Sequence, residues 1–154
     1  MFFSKKVDKN LVAFMDGTMV ALEKVADPVF AEKMMGDGFA IEPTSNDVFA
    51  PCDGEITVVF PTFHAYGITR EDGVEVLLHL GIDTVELGGE GFTAIVSVGD
   101  KVKSGDKLGT MDINRIKELE KPTTSMLIVT SRETVTLLKE DQTVSALEHI
   151  ATID

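Results

Sequence analysis

Three histidines and one cysteine carry most of the chemistry open to this chain. His64 sits in Phe60-Pro61-Thr62-Phe63-His64-Ala65, and His79 nearly closes an apolar run, Val74-Glu75-Val76-Leu77-Leu78-His79-Leu80-Gly81. Imidazole is the side chain that acts as a nucleophile or exchanges a proton near neutral pH. The two histidines are one hairpin's length apart. Strand alternation sets Leu77 and His79 on one face and Val76, Leu78 and Leu80 on the other, which is wholly apolar and reads as core. Gly81 lets backbone approach beside the ring. Two imidazoles on adjacent strands can hold one phosphate: one attacks phosphorus while the other donates a hydrogen bond to the phosphoryl oxygens. The Thr62 hydroxyl is placed to complete that cradle. The alternative is a half-buried histidine satisfied by backbone. His149 has no chemical neighbours in sequence and reads as structural or exposed. Cys52, standing alone, excludes an intrachain disulfide and suits a reducing cytosol, so the expected location is cytoplasmic.

Positioning two histidines requires a real scaffold, and the chain is long enough to provide one. Its 154 residues, 44% hydrophobic and 26% charged, suit one folded domain. No apolar run approaches the roughly 18 residues of a membrane span, and the start, Met1-Phe2-Phe3-Ser4-Lys5-Lys6, does not read as a secretory signal. Residues 1–10 are expected to form a flexible N-terminal segment, with 11–154 as the single domain. The segment's aromatics and lysines suit a weak membrane touch but are too few for an anchor. Fourteen Lys+Arg against 26 Asp+Glu give a net charge of −12. Such a surface repels nucleic acid and anionic lipid and would attract a basic protein partner, though without a motif the charge reads more simply as solubility.

Asp16-Gly17, Asp37-Gly38, Asp53-Gly54, Asp72-Gly73, Gly99-Asp100 and Gly105-Asp106 read as turns. Between them lie short runs rich in β-branched and aromatic residues: 39–42, 55–60, 64–70, 74–80, 92–98 and 125–130. This pattern predicts an all-β, antiparallel sandwich or barrel. Two short helices interrupt it. One, of about two turns, starts at Asp27 as N-cap with Pro28 in the first position and stops at Gly36. The other spans Asp112–Glu120 and ends before Pro122. The stretch from Gly99 to Leu108, with its paired Gly-Asp turns, resembles a barrel-sandwich element.

Three segments together resemble the glucose-type enzyme IIA family of the bacterial sugar phosphotransferase system. They are Asp27 to Pro43, Phe60 to Ile68, and Gly73 to Leu87 with its His79-Leu80-Gly81-Ile82-Asp83-Thr84-Val85 core. The resemblance covers about residues 10 to 150. It implies a barrel-sandwich hybrid with a duplicated motif and a phosphoryl relay. The phosphocarrier protein HPr would donate to His79 at Nε2, with His64 supporting the phosphoryl group and Thr62 beside it. The group would then pass to a cysteine of a sugar-specific IIB domain, as the IIC domain transports the sugar. The resemblance also implies a docking surface. Val29, Phe30, Met34, Met35, Phe60, Leu77 and Val85 match its apolar part, and Asp27, Asp83 and Glu86 its acidic rim. For each apolar residue the alternative is core packing. No cofactor is required; a zinc ion shared by His64, His79 and a regulatory target's carboxylate is a further property of such proteins. With no IIB or IIC segment in the chain, it reads as a free-standing IIA reaching the membrane only through the permease.

The chain departs from the family pattern at Val12-Ala13-Phe14-Met15-Asp16-Gly17 and lacks the usual Asn within Ile128-Val129-Thr130-Ser131-Arg132. Among rival readings, a zinc peptidase of the lysostaphin type shares the His-x-Gly-x-Asp pattern but needs a third ligand, and no His-x-His pair follows. A biotinyl or lipoyl carrier would need a hairpin-tip lysine, which Met111-Asp112-Ile113 does not offer. A non-catalytic regulatory binding module on the same fold is the remaining alternative.

Overall fold

The computed structural model describes residues 8–154. Its elements run β1 (Asn10–Val12), β2 (Gly17–Ala21), α1 (Pro28–Ala31), β3 (Asp37–Pro43), β4 (Asp47–Phe49), β5 (Gly54–Val59), β6 (Ala65–Thr69), β7 (Glu75–His79), β8 (Phe92–Ala94) and β9 (Lys101–Val102). They continue with β10 (Lys107–Met111), α2 (Ile113–Glu118), β11 (Ser125–Val129), β12 (Val135–Leu137), β13 (Thr143–Val144) and β14 (His149–Ile153). Every strand pairing is antiparallel. An eight-stranded sheet in the order β13-β2-β3-β11-β7-β6-β5-β9 is joined by two three-stranded sheets, β1-β14-β12 and β4-β10-β8. The expected all-β antiparallel class with short helices is the one observed. No helix among the described residues is long and apolar enough to cross a membrane.

Most of residues 1–10, expected to be a flexible segment, lie outside the described residues, as does the expected membrane touch by Met1-Phe2-Phe3. Asn10 departs from that expectation: it opens β1 and pairs with Thr152.

The main core fills the space between the sheets with Leu11, Phe14, Met15, Phe39, Ile41, Leu78, Leu108 and Ile150, among others. The departure at the first strand is absorbed here, since Ala13, Phe14 and Met15 are fully buried and Phe14 packs on Phe39. A second, smaller core lies on the opposite face of the large sheet and gathers Leu22, Val25, Phe30, Ala40, Ile82, Met126 and Ile128. The β11 strand is therefore buried on both faces, which explains its unbroken apolar run. The second core matters for function because it lies beneath the histidines.

A motif repeats within the fold. The β9 strand leads to Lys103, whose N–H donates to the Asp106 carboxylate. The β13 strand leads likewise to Ser145, whose N–H donates to the Glu148 carboxylate. Gly105 and Leu147 hold the same positive-φ turn position, at φ +93° and +73°. The second copy has leucine where the first has glycine, so it carries no turn signal in sequence.

Three of the Asp-Gly pairs are not tight turns. Gly17, Gly38 and Gly54 lie in strands β2, β3 and β5. At Gly38 an added Cβ would overlap the Leu127 carbonyl oxygen of β11. Glycine is there for close approach, while Asp37 accepts from Gly38 N–H at 2.9 Å and Val135 N–H at 2.9 Å. Asp72-Gly73 is the expected hairpin turn, closed by Gly73 N–H to Arg70 carbonyl at 2.9 Å. The first helix has one turn, not two: after α1 the chain leaves helical geometry, with Lys33 at φ +58°. Asp27 caps it as expected, accepting from Val29 N–H at 2.9 Å. The second helix has its Asp112 cap, with α2 ending at Glu118.

Candidate functional site

The β6–β7 hairpin brings the two histidines together. Ala65 pairs with His79 across it, and Leu80 N–H donates to the His64 carbonyl at 2.7 Å. Alternation works as read: Val76, Leu78 and Leu80 enter the core, while Leu77 and His79 are half-buried on the other face. The two imidazole rings meet edge to face, 5.1 Å apart at their centroids.

Each ring is fixed by a bond at Nδ1. His79 Nδ1 lies 2.9 Å from the Gly81 carbonyl oxygen. A carbonyl only accepts, so Nδ1 carries the proton and the neutral ring keeps its lone pair on Nε2. His64 Nδ1 is bonded to the Thr62 hydroxyl. When that hydroxyl donates to Nδ1, the His64 proton sits on Nε2. Aromatic rings set the remaining walls. Phe30 lies 5.0 Å from the His79 ring, and Phe60 meets His64 edge-on at 5.2 Å.

Both imidazoles are held neutral. Burial pushes His64 down to about 4, with a smaller contribution from the charge on His79. Burial also lowers His79, opposed by the Gly81 carbonyl and by the charges of Asp27 and Asp83. Desolvation disfavours the charged form of a base. Cys52 is buried and its thiol is pushed up to about 12, so it is inert as a thiolate at neutral pH.

The residues matched to a docking surface divide. Val29, Met34, Met35, Phe60 and Val85 are exposed, Met34 most of all at 70%. Phe30 is not: it is 6% exposed, belongs to the second core and meets the His79 ring at a tilt of 55°. Leu77 packs against that same core. Of the acidic residues, Asp27 caps α1, and Glu86 is paired with Lys121. Asp83 adopts the left-handed conformation at φ +58° before the 3-10 turn Thr84–Leu87. Phe63, next to His64, and Val58, opposite Gly67 in the β5–β6 pairing, were not singled out by sequence reasoning and are also exposed, at 40% and 43%. Val58 follows a register shift in β5, and Phe63 stands at φ +55°. Neither irregularity has a sequence signal.

Among the described residues, no group of three or more His, Cys, Asp or Glu is arranged to hold a metal. His149 lies on β14, in another sheet, and gives the peptidase reading no third ligand. His64 and His79 supply two nitrogens, half of a tetrahedral zinc shell, so zinc here would need ligands from a partner.

Paired neutral imidazoles on an all-β scaffold have the chemistry of a site that can take up a phosphoryl group on nitrogen. Comparison with known proteins narrows the class. The family model for the phosphoenolpyruvate-dependent sugar phosphotransferase system, EIIA 1, matches residues 9–135. A glucose-specific EIIA component from Bacillus cereus is 44% identical over 143 residues, covering 93% of this chain and 87% of its own. A glucose-specific EIICBA component from Streptococcus pneumoniae is 43% identical over 139 residues; this chain spans only 19% of that fused protein. The solved structure of glucose permease IIA from Mycoplasma capricolum superimposes with a TM-score of 0.84 at 41% identity, covering 98% of both chains. The chain belongs to the EIIA 1 family of the phosphoenolpyruvate-dependent sugar phosphotransferase system. It is a phosphotransferase component, a phosphoryl carrier in sugar uptake.

Proposed function

We propose that this chain takes a phosphoryl group from phospho-HPr on His79 Nε2 and passes it to a cysteine of a sugar-specific IIB domain. The observation that carries this is the bond from His79 Nδ1 to the Gly81 carbonyl, which leaves Nε2 as the nucleophile. The lone pair on Nε2 attacks phosphorus, and the N–P bond of phospho-HPr breaks with its electron pair returning to HPr. The Nδ1 proton stays in place. The phosphorylated ring then gains cationic character, which the Gly81 carbonyl and the charges of Asp27 and Asp83 stabilise. In the second step the IIB thiolate attacks phosphorus and the N–P electron pair returns to Nε2.

His64 donates Nε2–H to the phosphoryl oxygens while Thr62 holds its Nδ1. Catalysis of this kind is positioning plus charge stabilisation around a loose transition state. Exposed Met34, Met35, Val29, Val85 and Phe60 suit a face that must accept both HPr and IIB, because methionine repacks easily. The acidic rim and the net charge of −12 suit a basic HPr surface. The names of the relatives favour glucose as the sugar. The work takes place in the cytoplasm, at the membrane's inner face through the permease.

The test is intact mass after mixing with enzyme I, HPr and phosphoenolpyruvate, beside His79→Gln. One acid-labile phosphoryl group is expected on the native chain and none on the variant. No gain with demonstrably phosphorylated HPr refutes the assignment.

A further inference from the structure

We infer that Ser125 and Thr84 are positioning residues for phosphoryl transfer, acting on His79 through the Leu80–Gly81 peptide. The Leu80 carbonyl accepts the Thr84 hydroxyl at 2.6 Å, and the Gly81 N–H donates to Ser125 Oγ at 3.2 Å. Both groups belong to one planar peptide unit. Two side-chain hydroxyls from different elements therefore grip that plane at opposite ends. Ser125 commits its own proton to the Thr123 carbonyl at 3.0 Å, so its lone pairs face Gly81.

The next peptide is gripped as well. Its carbonyl, Gly81 O, takes the His79 Nδ1 proton, and its N–H, from Ile82, donates to the Pro122 carbonyl at 3.1 Å. Gly81 joins the two planes at φ +77°, a value that favours glycine. An added Cβ there would lie 3.0 Å from the Pro122 oxygen and would overlap Thr84 Cγ2. With the first plane held by hydroxyls, the Gly81 carbonyl has one direction to point, at His79.

Burial marks both hydroxyls as placed for this task. Thr84 and Ser125 are fully buried, and neither is among the residues bonded to His79. Packing alone would be served by valine at 84 and alanine at 125. A buried hydroxyl is tolerated only where it is paired, and here the pairing is spent on the backbone that sets the His79 tautomer. Outer-sphere groups that fix a histidine's tautomer and ring orientation act in the same way at metal sites.

This inference rests on His79 being the acceptor through Nε2, and the experiment separates the two. Chain labelled with nitrogen-15 histidine is compared as wild type, Ser125→Ala, Thr84→Val, Ser125→Thr and Ile150→Val. NMR reads the His79 tautomer, and rapid quench reads transfer from phospho-HPr. Wild type is expected to hold the Nδ1–H tautomer. Ser125→Ala and Thr84→Val are expected to mix the tautomers and slow transfer about tenfold, as small misplacements of reacting groups do. Ser125→Thr, which keeps the hydroxyl, restores both readouts. Ile150→Val, a core loss in another sheet, moves neither. Should Ser125→Ala fail to fold, the isosteric Thr84→Val carries the test. Wild-type tautomer and rate in a folded Thr84→Val overturn the inference, as does an equal effect from Ile150→Val. If wild type is never phosphorylated, the acceptor assignment fails, while the tautomer readout still judges the clamp.

Discussion

The rings of Phe30 and His79 meet tilted by 55°, with centroids 5.0 Å apart, and through this contact the small core reaches the reactive imidazole. Phe30 is buried with Ile82 and Met126, so one side of the imidazole rests on packed side chains. The same ring meets His64 edge to face, at 79°. A ring in contact with two others and bonded at Nδ1 has little freedom left. Little reorganisation is then needed before attack, and that pre-organisation is what a phosphoryl carrier gains from such a site.

The support role of His64 gives the first prediction. His64→Gln should still accept a phosphoryl group from HPr, because Nε2 of His79 is untouched. Onward transfer to IIB should fall about a hundredfold, the loss typical of removing one charge-stabilising donor. Rapid-quench transfer to an isolated IIB domain measures it. A wild-type onward rate would show that His64 does not support the phosphoryl group.

Thr62→Val removes the hydroxyl that holds His64 Nδ1. The His64 proton is then free to sit on either nitrogen, and Nε2–H is no longer enforced. A loss of about tenfold in onward transfer is expected, smaller than for His64→Gln because the ring remains. The ranking of the two variants is the check: equal or reversed losses would refute a role exercised through the His64 tautomer.

The pH dependence follows from the neutral imidazoles. His64 is pushed down to about 4 in the folded chain from an ordinary value of 6.5. Between those values the unfolded chain binds the proton and the folded chain does not. The contribution of His64 to stability should therefore be flat above pH 6.5 and fall as the pH drops toward 4, by no more than about 3 kcal/mol. His79, also lowered, adds to the loss in the same direction. Urea denaturation across that range checks the sign, with His64→Gln flattening the profile.

Much of the site was legible because a strand's period is simple. Alternation assigned Leu77 and His79 to one face and the core residues to the other, and the Asp72-Gly73 turn fixed the pairing of the hairpin. Other features were hidden for physical reasons. Asp37-Gly38 has the composition of a turn, but Gly38 serves close strand approach, and sequence does not distinguish these two uses of glycine. Strands β9 and β13 have two residues each, too few for any period to register. Phe30 matched a docking surface, yet tertiary packing buried it. Val58 was missed because the shift in β5 that exposes it leaves no trace in residue type.

The acidic rim is open to test at Asp83. This residue sits at φ +58°, a conformation that asparagine also tolerates, so Asp83→Asn removes charge and leaves the turn. Association with HPr should slow severalfold at low salt. The difference should shrink as salt rises, since exposed charges are screened beyond about 10 Å at 0.1 M. Stopped-flow association at several ionic strengths reads it. An effect independent of salt would point to a structural role for Asp83.

The last prediction concerns the seam that joins the two cores. Gly38 of β3 faces Leu127 and Ile128 of β11, and a Cβ there would overlap the Leu127 carbonyl oxygen. That oxygen is backbone in the middle of the large sheet, so no side-chain rotation relieves the overlap. The strands must separate, which weakens their pairing and loosens Met126 and Ile128 over the second core. Gly38→Ala should lose about 3 kcal/mol or more, in the range of severe overpacking. A urea midpoint shift at constant slope measures it. The His79 site should survive in whatever fraction stays folded, so phosphorylation per folded molecule should match wild type. A full loss of acceptance in folded Gly38→Ala would mean that the β3–β11 seam tunes the histidines directly, and that the second core is part of the catalytic apparatus as well as its support.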